Sequence, residues 1–459
     1  MNMVDIIGYK LKIIFKNNQE LTIERDINIS TAPTNYIVNM KVQEKLYTEN
    51  QNPIGVITSS IVQLDLNSLD RSLVPENLNS PYYGLMDSTA EIEVSVKNIE
   101  DGQVGYIDFG RYFVSTWTGT ASSANKTRVS IECIDILGIL MKMGVPDFNI
   151  KRNIQVVDFL NTIKDSINNT VGDKYKFSFN FLSTPNISVL DNNDIEASDV
   201  GTLFNTVCQS CLLNMFVDRD MGANGRVIKV LDTTVALGAS VGTMADDQDI
   251  LSASFDKGAL VGYTGVKVNY SIYSVNNISN IASVPTLALI PGENSIDNIS
   301  VNNTIFKITS ILIDTDSDSE AVGFTGIKYN RRSVTLKLNN TSSNNINCSI
   351  NISGQTLNEN KLAVIKQSTV DSNELLEVTN SIIPVNNVNN FATKLLDLIN
   401  KRKDSVVVEG YFDPRILKLN SIIQVNAEDS LYVSGKYRTS EITWTLGAGL
   451  RCQVRLVKQ

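Results

Sequence analysis

An acidic stretch of the chain carries the residue types that bind calcium: it reads Asp314-Thr315-Asp316-Ser317-Asp318-Ser319-Glu320. A calcium-binding EF-hand loop needs Gly at its sixth position and Glu at its twelfth. In this sequence those positions are Ser319 and Thr325. The stretch therefore favours a solvated acidic turn, and so does the second acidic run at 246–249. We predict no metal site and no cofactor.

Paired carboxylates are the groups that hydrolyse glycosidic bonds, and Glu91 and Glu93 are a candidate pair. They lie two residues apart on a predicted strand, so they share one face of it. That face is the polar face of an alternating strand, which favours solvated carboxylates over catalysis. Glycine-rich phosphate-binding motifs do not occur in the sequence. We therefore predict no catalytic residues and a protein that is not an enzyme.

Histidine is absent from the sequence, which excludes Ser-His-Asp and Cys-His catalysis and zinc sites with histidine ligands. The five cysteines are an odd number and widely scattered, so they do not form a disulfide framework. Cys208 and Cys211 have the CxxC spacing of redox and metal sites. Both fall on the apolar side of a predicted helix, so two buried side chains are favoured over a redox or metal pair.

Length and charge limit the function further. The chain has 459 residues, 42% of them hydrophobic, which predicts several folded domains, roughly three at about 150 residues each. Its net charge of −9 disfavours specific binding to nucleic-acid phosphates. The first residues lack the pattern of a signal peptide, and no apolar stretch approaches about 20 residues, so we predict no membrane span.

Alternation of apolar and polar residues predicts antiparallel strands over much of the chain. Examples are a hairpin that turns at 16–19 and strands at 61–66, 90–96, 333–338 and 348–354. Helical spacing appears at 154–167, from Glu196 or Ser198 to about Val217, and from Asn390 to about Arg402. A strand is predicted at 175–179 between the first two helices, and another at 226–230.

These patterns predict a mainly β fold with α+β insertions. We divide the chain into a first β domain at 1–150, an α+β domain at 151–250, a second β domain at 251–272 plus 382–459, and an inserted β-sandwich-like domain at 273–381. The second β domain is interrupted by the insert.

One motif occurs in both predicted β domains. Each copy has a Gly, a basic residue, a Tyr, a Ser and then a strand that ends in Trp and Thr: 106–118 reads YIDFGRYFVSTWT and 431–445 reads LYVSGKYRTSEITWT. A second strand follows each copy. The repeat indicates a duplicated β module, which is typical of pseudo-symmetric assemblies. For the aromatic residues of the motif, among them Trp117 and Trp444, core packing is favoured over a ligand platform.

Two further stretches resemble phage tail hub proteins, the family that includes contractile-tail baseplate hubs and tail-associated hub proteins. The first is 73–86, LVPENLNSPYYGLM, followed by Ala90-Glu91-Ile92 and by Gly110-Arg111-Tyr112-Phe113-Val114. The second is 410–425, GYFDPRILKLNSIIQV. Where the family has Asn and then Gly-Asp, this chain has Asp413 and then Asn420-Ser421, so the tight turn there is expected to differ.

The resemblance implies a structural function. Hubs of this family are trimers whose subunits each supply two tube-like β-barrels, so six barrels match a hexameric tail tube on one side and a threefold spike on the other. It implies as partners two further copies of this chain, the tail tube or a distal tail protein above, the spike or tail-tip protein below, and the tape-measure protein. It also implies a place in the virion tail baseplate, after assembly in the bacterial cytoplasm, and a lumen that conducts DNA.

Two alternatives stay open at this point. One is a receptor-binding tail protein that recognises host-surface glycan through the Asn-rich 273–381 region. The other is the hub portion of a tail-associated cell-wall hydrolase.

Overall fold

The structure of the chain is a computed structural model, and of the residues that it describes 61% are in strands and 15% in helices. This confirms the prediction of a mainly β fold with α+β insertions. The residues that the structure describes are 5–26, 35–46, 57–100, 103–121, 127–146, 154–183, 188–189, 199–219, 226–235, 238–245, 250–257, 263–316, 319–329, 332–367, 374–380, 382–383, 385–401, 404–427, 433–446 and 450–458.

The strands are numbered in chain order. They are β1 (Asp5–Ile14), β2 (Glu20–Asp26), β3 (Asn35–Lys45), β4 (Ile61–Ser68), β5 (Glu91–Glu100), β6 (Gln103–Ala121), β7 (Thr127–Ile134), β8 (Ile154–Gln155), β9 (Ser178–Phe181), β10 (Ser188–Val189), β11 (Leu213–Val217), β12 (Val227–Asp232), β13 (Gly242–Ala245), β14 (Ile250–Lys257), β15 (Gly265–Val275), β16 (Ser279–Leu289), β17 (Gly292–Ser300), β18 (Thr304–Thr315), β19 (Val322–Tyr329), β20 (Ser333–Asn340), β21 (Ile346–Gln367), β22 (Leu375–Asn380), β23 (Asp404–Gly410), β24 (Ile422–Ala427), β25 (Val433–Leu446) and β26 (Leu450–Lys458). The α-helices are α1 (Ile136–Leu140), α2 (Val156–Thr170), α3 (Val200–Cys211) and α4 (Val388–Lys401).

One sheet of 13 strands holds both copies of the repeated motif. Its order is β14-β23-β26-β25-β3-β4-β7-β6-β5-β1-β2, with β24 paired to β25 and β13 paired to β24. The predicted hairpin is confirmed as β1 and β2, and Asn18 in its turn has φ of 63°, a left-handed conformation that Asn tolerates. Alternating burial along β7 shows why the period of two predicted strands here.

The α+β part contains α2, α3 and a three-stranded sheet in the order β11-β12-β9. The predicted helix that ran to Val217 is wrong at its end: α3 stops at Cys211, Leu212 has φ of 53° and β11 follows. Every residue of β11 is buried, so its sequence shows no alternation and looks like a continuation of the apolar helix. The predicted start at Glu196 or Ser198 lies outside the described residues. The predicted strand at 175–179 begins later, at Ser178.

The region after β14 forms two further sheets. One has the order β16-β21-β15-β22, with β18 also paired to β21, and the other has the order β17-β20-β19. The sheet boundary therefore falls between β14 and β15. The helix predicted from Asn390 is confirmed as α4, which buries the predicted apolar face of Phe391, Leu395, Leu398 and Ile399.

Buried hydrophobic side chains of the described residues form four clusters. The largest joins the two motif copies in one core. A second lies between α2, α3 and the β11-β12-β9 sheet, a third lies under α4, and a fourth lies inside the inserted strands. Because both copies share one core, their relative position is fixed by packing as well as by strand pairing.

Candidate functional site

The paired carboxylates of β5 are held by arginines. Glu91 Oε2 lies 3.0 Å from Arg226 Nη2 and 3.6 Å from Arg111 Nη1, and Glu93 pairs with Arg111. Glu91 is 7% exposed, so the expectation of a wet face is wrong for it. The polar face of β5 is covered by the guanidinium groups of Arg111 and Arg226 instead of by water. Alternation of polar and apolar residues is the same in both cases, so the sequence pattern does not tell them apart.

This arrangement joins elements instead of presenting an acid and a base. Arg226 immediately precedes β12 of the α+β part and Glu91 begins β5, so their ion pair connects the two parts of the chain. The Arg226 guanidinium also lies 5.9 Å from the centre of the Phe113 ring. Both carboxylates are engaged by fixed cations, which favours a structural role for the pair.

The acidic stretch predicted as a solvated turn is partly described. Asp316 accepts hydrogen bonds from the backbone N–H of Asn347 at 3.2 Å and from its side-chain amide at 2.8 Å. Ser317 and Asp318 lie outside the described residues, as does the run at 246–249. Among the described residues, no group of three or more His, Cys, Asp or Glu side chains is placed to hold a metal ion.

Cys208 and Cys211 are both buried, which confirms the interpretation of the CxxC spacing as two packed side chains. Burial raises the pKa of both thiols, which disfavours the thiolate form that nucleophilic cysteine chemistry uses. Cys133, Cys348 and Cys452 are also free and buried.

The backbone conformation explains why each copy of the repeated motif has a glycine. Gly110 has φ of 107° and Gly435 has φ of 143°, where a side chain would be strained. In the first copy the Tyr112 ring lies 3.4 Å from where a Cβ of Gly110 would stand. The Tyr112 hydroxyl donates to the Phe109 carbonyl at 2.7 Å. The tyrosine therefore covers the glycine, and the spacing of two residues is a packing requirement.

The two copies also match in strand register. In the first, Val94 lies opposite Gly110 and Ile92 opposite Tyr112. In the second, Val425 lies opposite Gly435 and Ile423 opposite Tyr437. Each copy then has a register shift five residues after its glycine, at Ser115 and at Ser440. The serine of the motif is therefore the bulge residue in both copies.

The match extends through five strands. We define repeat unit 1 as β3, β4, β5, β6 and β7, and repeat unit 2 as β14, β23, β24, β25 and β26. Their orders in the sheet are β3-β4-β7-β6-β5 and β14-β23-β26-β25-β24, so the connectivity is the same. Even the bulge between Ile37 and Asn39 in β3 recurs between Ile250 and Ser252 in β14. The sequence repeat is thus a duplicated five-stranded unit.

The units meet where β25 pairs with β3, a contact that we call the junction. Six residue pairs form it, from Glu441 opposite Lys45 to Leu446 opposite Met40, with Trp444 opposite Val42. Lys45 Nζ lies 3.1 Å from Glu441 Oε1 at its exposed side. The Trp444 indole N–H donates to Glu44 at 3.3 Å at its buried side.

A buried ion pair closes the junction. Arg219 follows β11 and lies 3.1 Å from Glu44, and the two side chains are 2% and 4% exposed. Arg219 also donates to the carbonyls of Pro414 at 3.2 Å and Leu417 at 2.6 Å. Burial raises the pKa of the Glu44 carboxyl, and the Arg219 charge and the indole of Trp444 oppose that rise.

No pattern in the sequence indicates a role for Arg219. Its guanidinium lies 5.2 Å from the Phe109 ring of unit 1 and 5.5 Å from the Trp444 ring of unit 2, so one side chain contacts both units. Its partners are far from it in the sequence, and no local pattern indicates them. A shallow cleft beside the ion pair is lined by Glu44, Ser60, Gly110, Arg111, Tyr112, Asp135, Val217, Asp218 and Arg219.

The two tryptophans occupy different places in their units. Trp444 is fully buried in the shared core, which confirms core packing. Trp117 is partly buried against that core, and its indole N–H donates to the Leu73 carbonyl at 3.0 Å. By register Trp117 corresponds to Ile442, and Trp444 corresponds to Gly119. The repeat therefore conserves the face of the aromatic residue but not its position.

The segment at 410–425 contains a tight turn, in which the Ser421 N–H donates to the Lys418 carbonyl at 3.1 Å. Asn420 has φ of 66°, in the left-handed region that Asn tolerates better than most residues. The Asp413 carboxylate accepts from the backbone N–H of Arg415 at 2.8 Å, and its side chain also pairs with that of Arg415 at 2.8 Å.

Comparisons with known proteins identify the fold. Neither a family model nor a curated protein matches the sequence, but solved structures match over nearly the whole chain. A tail protein from Neisseria meningitidis MC58 is 10% identical, covers 98% of this chain and 97% of its own, and gives a TM-score of 0.52. The 43 kDa tail protein of prophage MuSo2 from Shewanella oneidensis is 8% identical, covers 98% of both chains and gives a TM-score of 0.54.

The chain therefore has the fold of phage tail proteins. The resemblance drawn from the sequence is confirmed at the level of the fold. No helix among the described residues is long and apolar enough to cross a membrane.

Proposed function

We propose that this chain is a structural baseplate or tail hub protein of a phage or tailocin. It acts as a trimer that adapts a hexameric tail tube to a threefold spike and forms part of the DNA conduit. The observation that carries this proposal is the duplicated five-stranded unit. Two equivalent units in each chain give six units in a ring of three chains, which matches the six subunits of a tail-tube ring. The likeness of the whole fold to phage tail proteins supports the same function.

Symmetry explains why duplication suits an adaptor. Three copies present six similar units toward a sixfold tube, while the rest of each chain remains threefold. Head-to-tail contacts between such units form a closed ring when their rotation closes. Strand pairing is a suitable contact for the ring, because an unpaired edge strand otherwise exposes backbone N–H and C=O groups.

The charge of the chain fits a conduit. With a net charge of −9, the chain as a whole repels phosphate. DNA that passes through a ring of such chains is not retained by phosphate contacts, which dominate non-specific affinity for DNA. The proposed neighbours are the tail tube or a distal tail protein above, the spike or tail-tip protein below, and the tape-measure protein.

The proposal includes the division of the chain. We assign residues 1–150 and 251–272 plus 382–459 to the two tube-like domains, 151–250 to an α+β domain and 273–381 to an inserted domain. Within 251–272 only β14 joins the 13-stranded sheet, whereas β15 pairs with strands of the insert, so β15 is where the second tube-like domain passes into the insert. The shared core of the two motif copies supports the view that both tube-like domains act as one rigid part of the ring.

Native mass spectrometry of the purified chain tests the proposal. A trimer of about 152 kDa, three times 50.6 kDa, is expected. A hexamer would indicate a tube-terminating ring instead of a hub. Peptidoglycan zymography provides the second measurement, and cell-wall clearing by the purified chain would contradict a structural function.

A further inference from the structure

The junction inside the chain has an unfilled counterpart. In repeat unit 2, the second half of β25 pairs with β26 on one side and with β3 on the other. In repeat unit 1, the second half of β6, at 116–121, pairs with β7 on one side. No strand in the described ranges pairs with its other side. Among the strands of the described ranges, the position that β3 takes on unit 2 is therefore not filled on unit 1.

The strand that corresponds to β3 is also open. By register β3 of unit 1 corresponds to β14 of unit 2, and β14 ends the 13-stranded sheet. Phe255 lies opposite Val406 in β23, so it shares the face of that fully buried core residue. Phe255 is nevertheless 43% exposed, since no described strand covers this edge.

We propose that β14 of one copy pairs antiparallel with residues 116–121 of β6 in a second copy, in the register of the internal junction. This proposal rests on the ring described under the proposed function and specifies its contact between subunits. The pairing makes the contact between chains equivalent to the contact within a chain. Each copy offers one open β14 and one open β6 edge, so the contact is head-to-tail and can close a ring.

The register predicts which residues meet. Val42 corresponds to Phe255 and Trp444 corresponds to Gly119, so Phe255 of one copy lies opposite Gly119 of the next. The internal junction has the large side chain on β25 and the small one on β3, whereas the proposed contact has a glycine on β6 and an aromatic ring on β14. The exchange of large and small residues keeps one aromatic ring at each contact.

The surroundings of Gly119 fit this exchange. A Cβ at Gly119 would stand 3.1 Å from Val74 Cγ1, 3.6 Å from Pro75 Cδ and 3.7 Å from Glu76 Oε2, so the turn after β4 approaches the space where a side chain would begin. An incoming Phe255 ring meets the apolar side chains of Val74 and Pro75, while the exposed Glu76 side chain has room to turn toward solvent. The rest of the edge is made by Thr116, Thr118 and Thr120, which are exposed in the single chain and suit a strand.

Disulfide trapping tests the register. Thr120 and Ser254 are predicted to face each other, and directly opposed Cβ atoms of antiparallel strands lie about 4.5–5.5 Å apart, close to disulfide geometry. The T120C/S254C variant, treated with oxidised glutathione, is expected to form covalent multimers on a non-reducing gel. The matched control is T120C/F255C, in which the two thiols lie on opposite faces. All five native cysteines are buried, which keeps the background low.

A charge on the edge tests the contact without cross-linking. The F255E variant is expected to weaken assembly by at least about tenfold, since it buries an unpaired carboxylate. The control is L251E: Leu251 is 57% exposed on the same strand but corresponds to the bulge residue of β3, outside the paired span. Unchanged thermal melting by circular dichroism shows that both variants fold.

The outcomes separate this proposal from the proposed function. A wild-type trimer in which T120C/S254C does not cross-link and F255E still assembles overturns the strand contact and leaves the hub proposal intact. Cross-linking into rings other than trimers supports the contact and overturns the threefold hub. A chain of 50.6 kDa that neither assembles nor cross-links overturns both.

Discussion

Replacing Arg219 with Met should destabilise the protein by about 3–5 kcal/mol, the cost of removing one partner from a buried ion pair. Met keeps much of the apolar stem but removes the charge. Glu44, which is 4% exposed, then retains the Trp444 indole as its donor. The carbonyls of Pro414 and Leu417 lose the guanidinium hydrogen bonds at the same time.

The loss of folding stability in R219M should depend on pH. Burial raises the pKa of Glu44 and the Arg219 charge opposes that rise, so in R219M the folded chain holds the Glu44 proton more tightly. When a group binds its proton more tightly in the folded state than in the unfolded state, the protein becomes less stable as pH increases through the folded pKa of that group. The deficit of R219M relative to the wild type is therefore expected to be larger at pH 8 than at pH 5.

Urea unfolding followed by tryptophan fluorescence is the assay, because the chain has two tryptophans and Trp444 contacts the ion pair. The matched control is K267M, which removes the exposed ion pair to Glu377 and should cost about 1 kcal/mol or less. The R219M/E44L double variant should recover most of the loss, since it removes the unpaired charge. An R219M deficit equal to that of K267M, or identical at both pH values, would refute the reasoning.

Three further predictions concern other parts of the fold. G110A and G435A should each lower the free energy of unfolding by about 1–3 kcal/mol, because both glycines have a positive φ. The control G144A, where a Cβ meets open space, should change it by less than about 0.5 kcal/mol. Equal urea midpoints for all three variants would contradict this. Burial raises the pKa of Asp135 from 3.8 to about 6, so the stability that its proton contributes is fully present only below about pH 4 and is lost as pH rises from there through about 6. D135N keeps the helix cap and should remove this loss in pH-dependent melting, and an unchanged slope would argue against it. The buried thiols should react with Ellman's reagent in urea but not in buffer, and fast labelling of the native chain would show that their burial is misassigned.

The sequence predicted well what depends on neighbouring residues. The period of two identified the hairpin of β1 and β2, and the helical period identified α2 and the buried face of α4, because each side-chain face is set by local backbone geometry. The repeated motif was visible for the same reason, since Gly110 and Tyr112 act on each other two residues apart.

The sequence failed where the same local pattern allows two environments. The wholly buried strand β11 looked like the end of α3, because neither element shows alternation when all sides are covered. Glu91 looked solvated because a polar face covered by Arg226 has the same period as a face in water. In both cases the decisive neighbour comes from elsewhere in the chain.

What the sequence by itself determined is the mainly β class, the absence of histidine chemistry and the presence of two similar modules. What the tertiary structure alone decided is how those modules are joined. The junction brings Trp444 to Glu44, 400 residues apart, and places Arg219 between them. The physical reason is that hydrophobic periodicity reports which face of a strand is buried, while the choice of which edges pair depends on contacts between distant segments.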